Sequence, residues 1–281
     1  MLVPMGELLQ EGLHNGYAVG SFDVCNLESA ESVLEAAVEN GSPVIVAIAE
    51  VFFKEVSFET LVTAIREQAI PLKVPVSILL DHGRSFETAV RALRAGVTGV
   101  MFDGSSLPYG ENVRITREVV KTAHAVGVTA EAEIGHVGQG TSYEKRDESL
   151  TTPEEALRFA QDTGVDALAV AVGTAHGHYK GEPRIDYERL AAIYSAVKLP
   201  LVLHGGSSTG DERLKRSIEH GVAKVNIYTD MSAEAVERIK KLLADKPGAR
   251  LNDVVQATRG GFKDVAGHYM RLFGSANRVA S

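Results

Sequence analysis

Three short apolar runs each lead into a histidine followed by glycine. Val74-Pro-Val-Ser-Ile-Leu-Leu80 runs through Asp81 into His82-Gly83, and Ala167 to Ala175 leads into His176-Gly177. Pro200-Leu-Val-Leu203 leads into His204-Gly205-Gly206. A brief hydrophobic segment that stops abruptly at polar residues is the pattern of a buried parallel strand whose C-terminal end opens into a site. Neutral imidazoles from three strand ends would give a zinc ion three ligands and one open position, which suits a catalytic metal. His82, His176 and His204 are therefore the expected ligands. His178, two residues beyond His176, is set aside; His136 is read as solvated, and His14, His124, His220 and His268 as structural or solvated.

Carboxylates accompany the imidazoles. Asp81 precedes His82, so in an extended strand its side chain leaves on the opposite side. It is then a poor co-ligand and a better proton-transfer group, provided the chain turns at Gly83. Asp103 ends a fourth apolar run, and Glu131 and Glu133 alternate along a fifth. Asp103 and Glu133 are either acceptors for imidazole N–H groups or an alternative metal position. His204-Gly-Gly-Ser-Ser208 and Asn226-Ile-Tyr-Thr-Asp230 would bring backbone N–H groups and a helix start together, which favours an anion such as phosphate. A metal beside an anion cradle and an acid suits chemistry at a carbonyl, where an enediolate forms by loss of a proton or breakage of a carbon–carbon bond. No lysine falls inside the sixth or seventh strand, so a Schiff base is not indicated.

The elements that must position these groups alternate along the chain. Strands are expected at Tyr17–Val24, Pro43–Ala49, Val74–Leu80, Gly99–Gly104, Val128–Ile134, Ala167–Ala175, Pro200–Leu203 and Lys224–Asp230. Apolar residues at helical spacing fall between them, for example Ala30, Val33, Leu34, Ala37 and Val38, closed by Asn40-Gly41. Thr152-Pro153 opens the helix after the fifth strand as a cap followed by a proline. Beyond Met231 the sequence reads as helical to about Ala244 and less regular after it. Eight strand–helix alternations predict a single-domain (β/α)₈ barrel over residues 1–281 with extra C-terminal helices. A doubly wound sheet is disfavoured because no Gly-rich dinucleotide turn follows the first strand. In a barrel, every strand end named above falls on one rim.

Bulk properties narrow the class. A formal charge of −8 argues against a nucleic-acid surface, and no apolar run approaches the length of a membrane span. The single cysteine, Cys25, excludes an internal disulfide, and with no signal-peptide pattern at the N-terminus a reducing cytoplasm is expected.

With these motifs in place, the chain resembles the class II, zinc-dependent ketose-bisphosphate aldolases, which include the fructose- and tagatose-bisphosphate enzymes. The matching segments are Leu80-Asp-His-Gly, Met101-Phe-Asp-Gly-Ser, Glu131-Ala-Glu-Ile-Gly, Gly173-Thr-Ala-His-Gly-His-Tyr179, Leu203-His-Gly-Gly-Ser207 and Lys224-Val-Asn-Ile-Tyr-Thr229. The resemblance implies that His82, His176 and His204 hold zinc and that Asp81 protonates the aldehyde oxygen on condensation. It marks Asp103 and Glu133 as the alternative metal position. It further implies that Gly177, Gly205, Gly206, Ser207, Asn226 and Thr229 hold the phosphate and hydroxyls of dihydroxyacetone phosphate, with a monovalent cation (Na⁺ or K⁺) near the glycines. A homodimer or homotetramer is expected.

Three positions depart from the family pattern. Ser208 stands where glycine is frequent and is expected to crowd the phosphate. Asp23 stands where an Asn is common, adding negative charge near an anionic substrate. The loop after the fifth strand, Gly138-Gln-Gly-Thr-Ser-Tyr-Glu144, lacks the paired acids of the fructose enzymes; Glu144 is the first candidate for the base and Glu148 the second. A ketose-phosphate aldolase is the leading expectation. The alternatives are a metal-dependent sugar-phosphate epimerase or isomerase, and a non-catalytic sugar-phosphate binder.

Overall fold

The computed structural model describes residues 1–138, 150–177, 179 and 181–279. Eight parallel strands close into a barrel in chain order: β1 (Val19–Asp23), β2 (Val44–Ala49), β3 (Val76–Gly83), β4 (Gly99–Phe102), β5 (Thr129–Ile134), β6 (Ala167–Val170), β7 (Leu201–Leu203) and β8 (Val222–Ile227). The ladder from β8 back to β1, with Ser21 opposite Asn226, completes the closure. Around it run α1 (Met5–Asn15), α2 (Leu27–Asn40), α3 (Phe58–Ala69), α4 (Phe86–Ala95), α5 (Tyr109–His124), α6 (Pro153–Thr163), α7 (Tyr187–Val197), α8 (Asp211–Glu219), α9 (Thr229–Asp245) and α10 (Leu251–Leu272). No helix among the described residues is long and apolar enough to cross a membrane.

Local chemistry sets the helix starts. Asn26 accepts from the Ser29 N–H and Thr152 from the Glu155 N–H, and in each case the third residue reaches back to the cap. The strands alternate between two apolar layers. Val44, Val46 and Ile48 face outward onto Val33, Ala37, Val62 and Ile65 of the surrounding helices. Ile45 and Ala47 face inward with Val19, Leu79, Met101 and Val202, and α1 closes this inner layer from below with Met5, Leu8 and Leu9.

Four expectations change. β6 ends at Val170 and not at Ala175, because Gly173, at φ +108°, turns the chain against residue 184: a Cβ there would lie 2.0 Å from the Arg184 carbonyl oxygen. β8 ends at Ile227, and Thr229 and Asp230 already belong to α9. The N-terminal segment, for which no element is named above, is a helix that caps the barrel. The region after Ala244 contains the 22-residue helix α10, which crosses α9 closely enough that a Cβ on Gly261 would meet the Ala235 backbone at 2.6 Å.

Candidate active site

The C-terminal rim of the barrel encloses a cavity of about 320 Å³ lined by Asp23, Asp81, His82, Asp103, His176 and His204 among others. His82 lies at the end of β3, His204 follows β7 directly, and His176 arrives on the loop beyond β6. Their ring centroids are 4.5 Å (His82–His204), 5.0 Å (His82–His176) and 5.9 Å (His176–His204) apart. One ring nitrogen from each lies within 4.8 Å of the others.

Each ring has a partner on its far side. His82 Nδ1 lies 2.9 Å from Asp103 Oδ2, His176 Nδ1 is 3.1 Å from the Val137 carbonyl, and His204 Nε2 is 3.1 Å from Glu131 Oε1. Each acceptor takes an N–H, so in the neutral rings of His176 and His204 the other nitrogen carries the lone pair. His176 Nε2 and His204 Nδ1 are buried with no hydrogen-bond partner, the condition expected of atoms that wait for a cation. The donor set fits a tetrahedral zinc with one open position.

Asp81 and His82 are neighbours in sequence, yet both enter the cavity. The reason is a left-handed backbone at His82 itself, φ +47°, within an irregularity of the β3–β4 ladder. The turn falls one residue earlier than the expected one at Gly83. Asp81 Oδ2 then sits 3.6 Å from His82 Nε2, and Asp81 Oδ1 accepts from the Asn226 amide at 3.0 Å. Burial would raise the Asp81 carboxyl, but the imidazoles of His82 and His204 and the Lys224 ammonium hold it below the ordinary range. Burial would likewise lower His82; Asp81, the hydrogen bond to Asp103 and the Glu133 charge outweigh it and push the ring up to about 10. His176 is pushed down to about 4, first by burial and then by the neighbouring His82.

Asp103 accepts from Ser105 N–H (3.1 Å) and Ser105 Oγ (2.7 Å) as well as from His82, and Ser105 Oγ lies 3.0 Å from His136 Nδ1. His136 is exposed, as expected, and also lines the cavity, tied to this chain of contacts. Glu133 accepts from Val137 N–H at 3.0 Å, has its other oxygen buried without a partner, and is pushed up to about 8 by burial and then by Asp103. His82, Asp103 and Glu133 form a second group with ligand atoms close enough for an ion.

On the opposite wall Gly177, Gly205, Ser207, Asn226 and Thr229 line the cavity beside the start of α9. Gly206 does not: its N–H goes to the Asn226 carbonyl at 3.2 Å, and a Cβ there would strike Val225 at 2.5 Å, so its role is close packing of β7 on β8. Ser208 also stays out of the cavity lining. Its backbone is left-handed (φ +59°), and its N–H and hydroxyl both go to Asp230 at 2.9 Å, at the start of α9. Glu144, Glu148 and His178 lie outside the described residues.

Two participants escaped sequence reasoning. Glu131 and Lys224, from β5 and β8, pair beneath His204 at 2.8 and 3.0 Å with no exposed surface. Their separation of 93 residues leaves no local signal; only barrel closure brings them together.

Comparison with known proteins shows the family and the fold. The family model described as "Fructose-bisphosphate aldolase class-II" matches residues 3–278. The crystal structure of the YdjI aldolase from Escherichia coli K12 is 32% identical, covers 100% of both chains and superposes with a TM-score of 0.90. A Coccidioides immitis protein, provisionally assigned as a fructose-1,6-bisphosphate aldolase, is 30% identical over 97% of this chain and 96% of its own, with a TM-score of 0.87. Fructose-bisphosphate aldolase from Campylobacter jejuni, at 20% identity, shares the fold with a TM-score of 0.81 over 99% and 97% of the two chains.

Proposed function

The chain belongs to the class II fructose-bisphosphate aldolase family, and we propose that it is a zinc-dependent aldolase that reversibly cleaves a ketose phosphate into dihydroxyacetone phosphate, or a close analogue, and an aldehyde. The family is one of carbon–carbon lyases. The observation that carries the metal-dependent reading is the convergence of His82, His176 and His204, two of them with bare buried nitrogens, beside Asp81.

His82, His176 and His204 would hold the ion. When bound, it supplies Lewis acidity that polarises the donor carbonyl and stabilises the negative charge of the enediolate. The remaining work falls to this chain's own groups. Gly177, Gly205, Ser207 and the start of α9 bind the phosphate and fix the donor's position. Asp103, Glu131 and the Val137 carbonyl orient the three rings. Asp81, oriented by Asn226, transfers the proton at the aldehyde oxygen: on cleavage it takes the carbinol proton, and on condensation it returns it.

Product analysis tests the reading. Incubation of the zinc-loaded protein with ketose mono- and bisphosphates should release a three-carbon phosphate fragment, and chelation should abolish the activity until zinc is restored. Sugar interconversion without a fragment would instead identify an epimerase or isomerase.

A further inference from the structure

One acid in the cavity is used by none of these steps. Asp23 ends β1, is only 6% exposed, lines the cavity, and leaves its Oδ1 buried with no hydrogen-bond partner. Two more oxygens nearby are in the same state. Asn226 donates its amide N–H to Asp81, and its own Oδ1 is buried without a partner. Ser21, two residues before Asp23 on the same inward face and opposite Asn226 in the ladder, has an unpartnered Oγ. Unpaired buried polar atoms are costly, and a carboxylate is the costliest of them. Burial, followed by the charge of Asp81, keeps the Asp23 carboxyl well above its ordinary range. A neutral Asp23 can donate as well as accept, whereas Asn226 Oδ1 only accepts, so whatever fills this part of the cavity must bring at least one hydrogen-bond donor.

The chemistry of the donor can be narrowed. A phosphate or carboxylate offers only acceptor oxygens, which Asn226 Oδ1 cannot use, and its negative charge would meet that of Asp81. A sugar hydroxyl can donate to either acceptor. The place for an anion is elsewhere, at Gly177, Gly205 and Ser207 beyond β6 and β7, whereas Asp23 lies on β1, past β8. On the Asp23 side the wall includes Ala49, Val51, Phe52 and Tyr228, the last two rings 4.9 Å apart, and Arg84, whose backbone N–H goes to Glu50, also lines the cavity. Such a surface suits the C–H faces of a carbon chain whose hydroxyls turn inward. In the aldolase reading Asp81 serves the aldehyde oxygen, so its neighbour Asp23 meets the carbons next to that oxygen.

We propose that Asp23 is a specificity-determining acceptor for a hydroxyl on the aldehyde half of the substrate. The enzyme then takes hydroxylated, uncharged aldehydes in preference to deoxy or phosphorylated ones. This inference rests on the aldolase reading and adds the substrate class.

The test pairs aldehydes that differ in one group, condensed with dihydroxyacetone phosphate by the zinc-loaded enzyme. Glycolaldehyde against acetaldehyde isolates the hydroxyl, and glyceraldehyde against glyceraldehyde 3-phosphate isolates the charge. The wild type should favour glycolaldehyde in kcat/KM by about 10²-fold or more, as a site built to hydrogen-bond a hydroxyl rejects the analogue without it. Asp23→Ala should bring that ratio below about tenfold with zinc content unchanged. The isosteric Asp23→Asn, available if the Ala variant does not fold, should raise the activity on glyceraldehyde 3-phosphate relative to glyceraldehyde. A folded variant with unchanged ratios would overturn the role of Asp23 while leaving the aldolase reading intact. A wild type that joins neither aldehyde to the donor would overturn both.

Discussion

Glu131 and Lys224 form a fully buried ion pair, with both carboxylate oxygens within 3.0 Å of the ammonium, and the same Glu131 accepts the His204 Nε2–H. The pair is thus both a structural link across the barrel between β5 and β8 and the support of an expected metal ligand. Removing one partner leaves a buried charge unmatched, which is far more costly than replacing both. Lys224→Met should therefore destabilise the fold by about 3–5 kcal/mol in urea unfolding. The double variant Glu131→Gln, Lys224→Met should recover much of that loss. Equal stability of the single and double variants would refute the pairing argument.

Proton transfer is the role proposed for Asp81, whose carboxylate also lies within ligand range of Glu131 and His204. Asp81→Ala should lower turnover by roughly 10²–10⁴-fold. Zinc content, measured by atomic absorption, should be unchanged. Loss of zinc together with activity would show that the carboxylate is a ligand.

His204 presents its bare Nδ1 to the other two rings because Glu131 holds Nε2. His204→Ala and His176→Ala should each abolish stoichiometric zinc binding while the secondary structure, followed by circular dichroism, is retained. Either variant binding zinc at full stoichiometry would remove that ring from the ligand set.

Metal binding should release a proton. In the metal-free protein His82 is pushed up to about 10, so it is protonated at neutral pH, whereas His176, pushed down to about 4, and His204, lower than usual through burial and then His82, are already neutral. A cation must displace the His82 proton, so zinc affinity should rise by about tenfold per pH unit from below neutrality until pH approaches the His82 value, then level off. Calorimetry in buffers of different ionisation enthalpy should find close to one proton released per zinc near pH 7. Zero would mean that His82 is neutral before the metal arrives.

The barrel and its rim were legible because each strand is a short apolar run with an abrupt polar end, and parallel closure sends all those ends the same way. His82, His176 and His204 could be found on that basis alone. The orientation of Asp81 could not: it depends on a left-handed residue other than glycine, for which adjacent side chains give no signal. α1 was detectable in principle from Met5, Leu8 and Leu9 at helical spacing, with Gly16 as its stop. α10 was obscured by Gly260-Gly261, which reads as a helix breaker although Gly261 permits a close crossing over Ala235. The Glu131–Lys224 pair and the diversion of Ser208 to Asp230 depend on contacts between distant parts of the chain.

The helix beneath the barrel has its own effect on traffic. Met5, Leu8 and Leu9 are wedged into the inner layer and close the barrel from below. With the floor closed, a ligand held at the bottom of this cup would have to enter before, and leave after, one held at the rim.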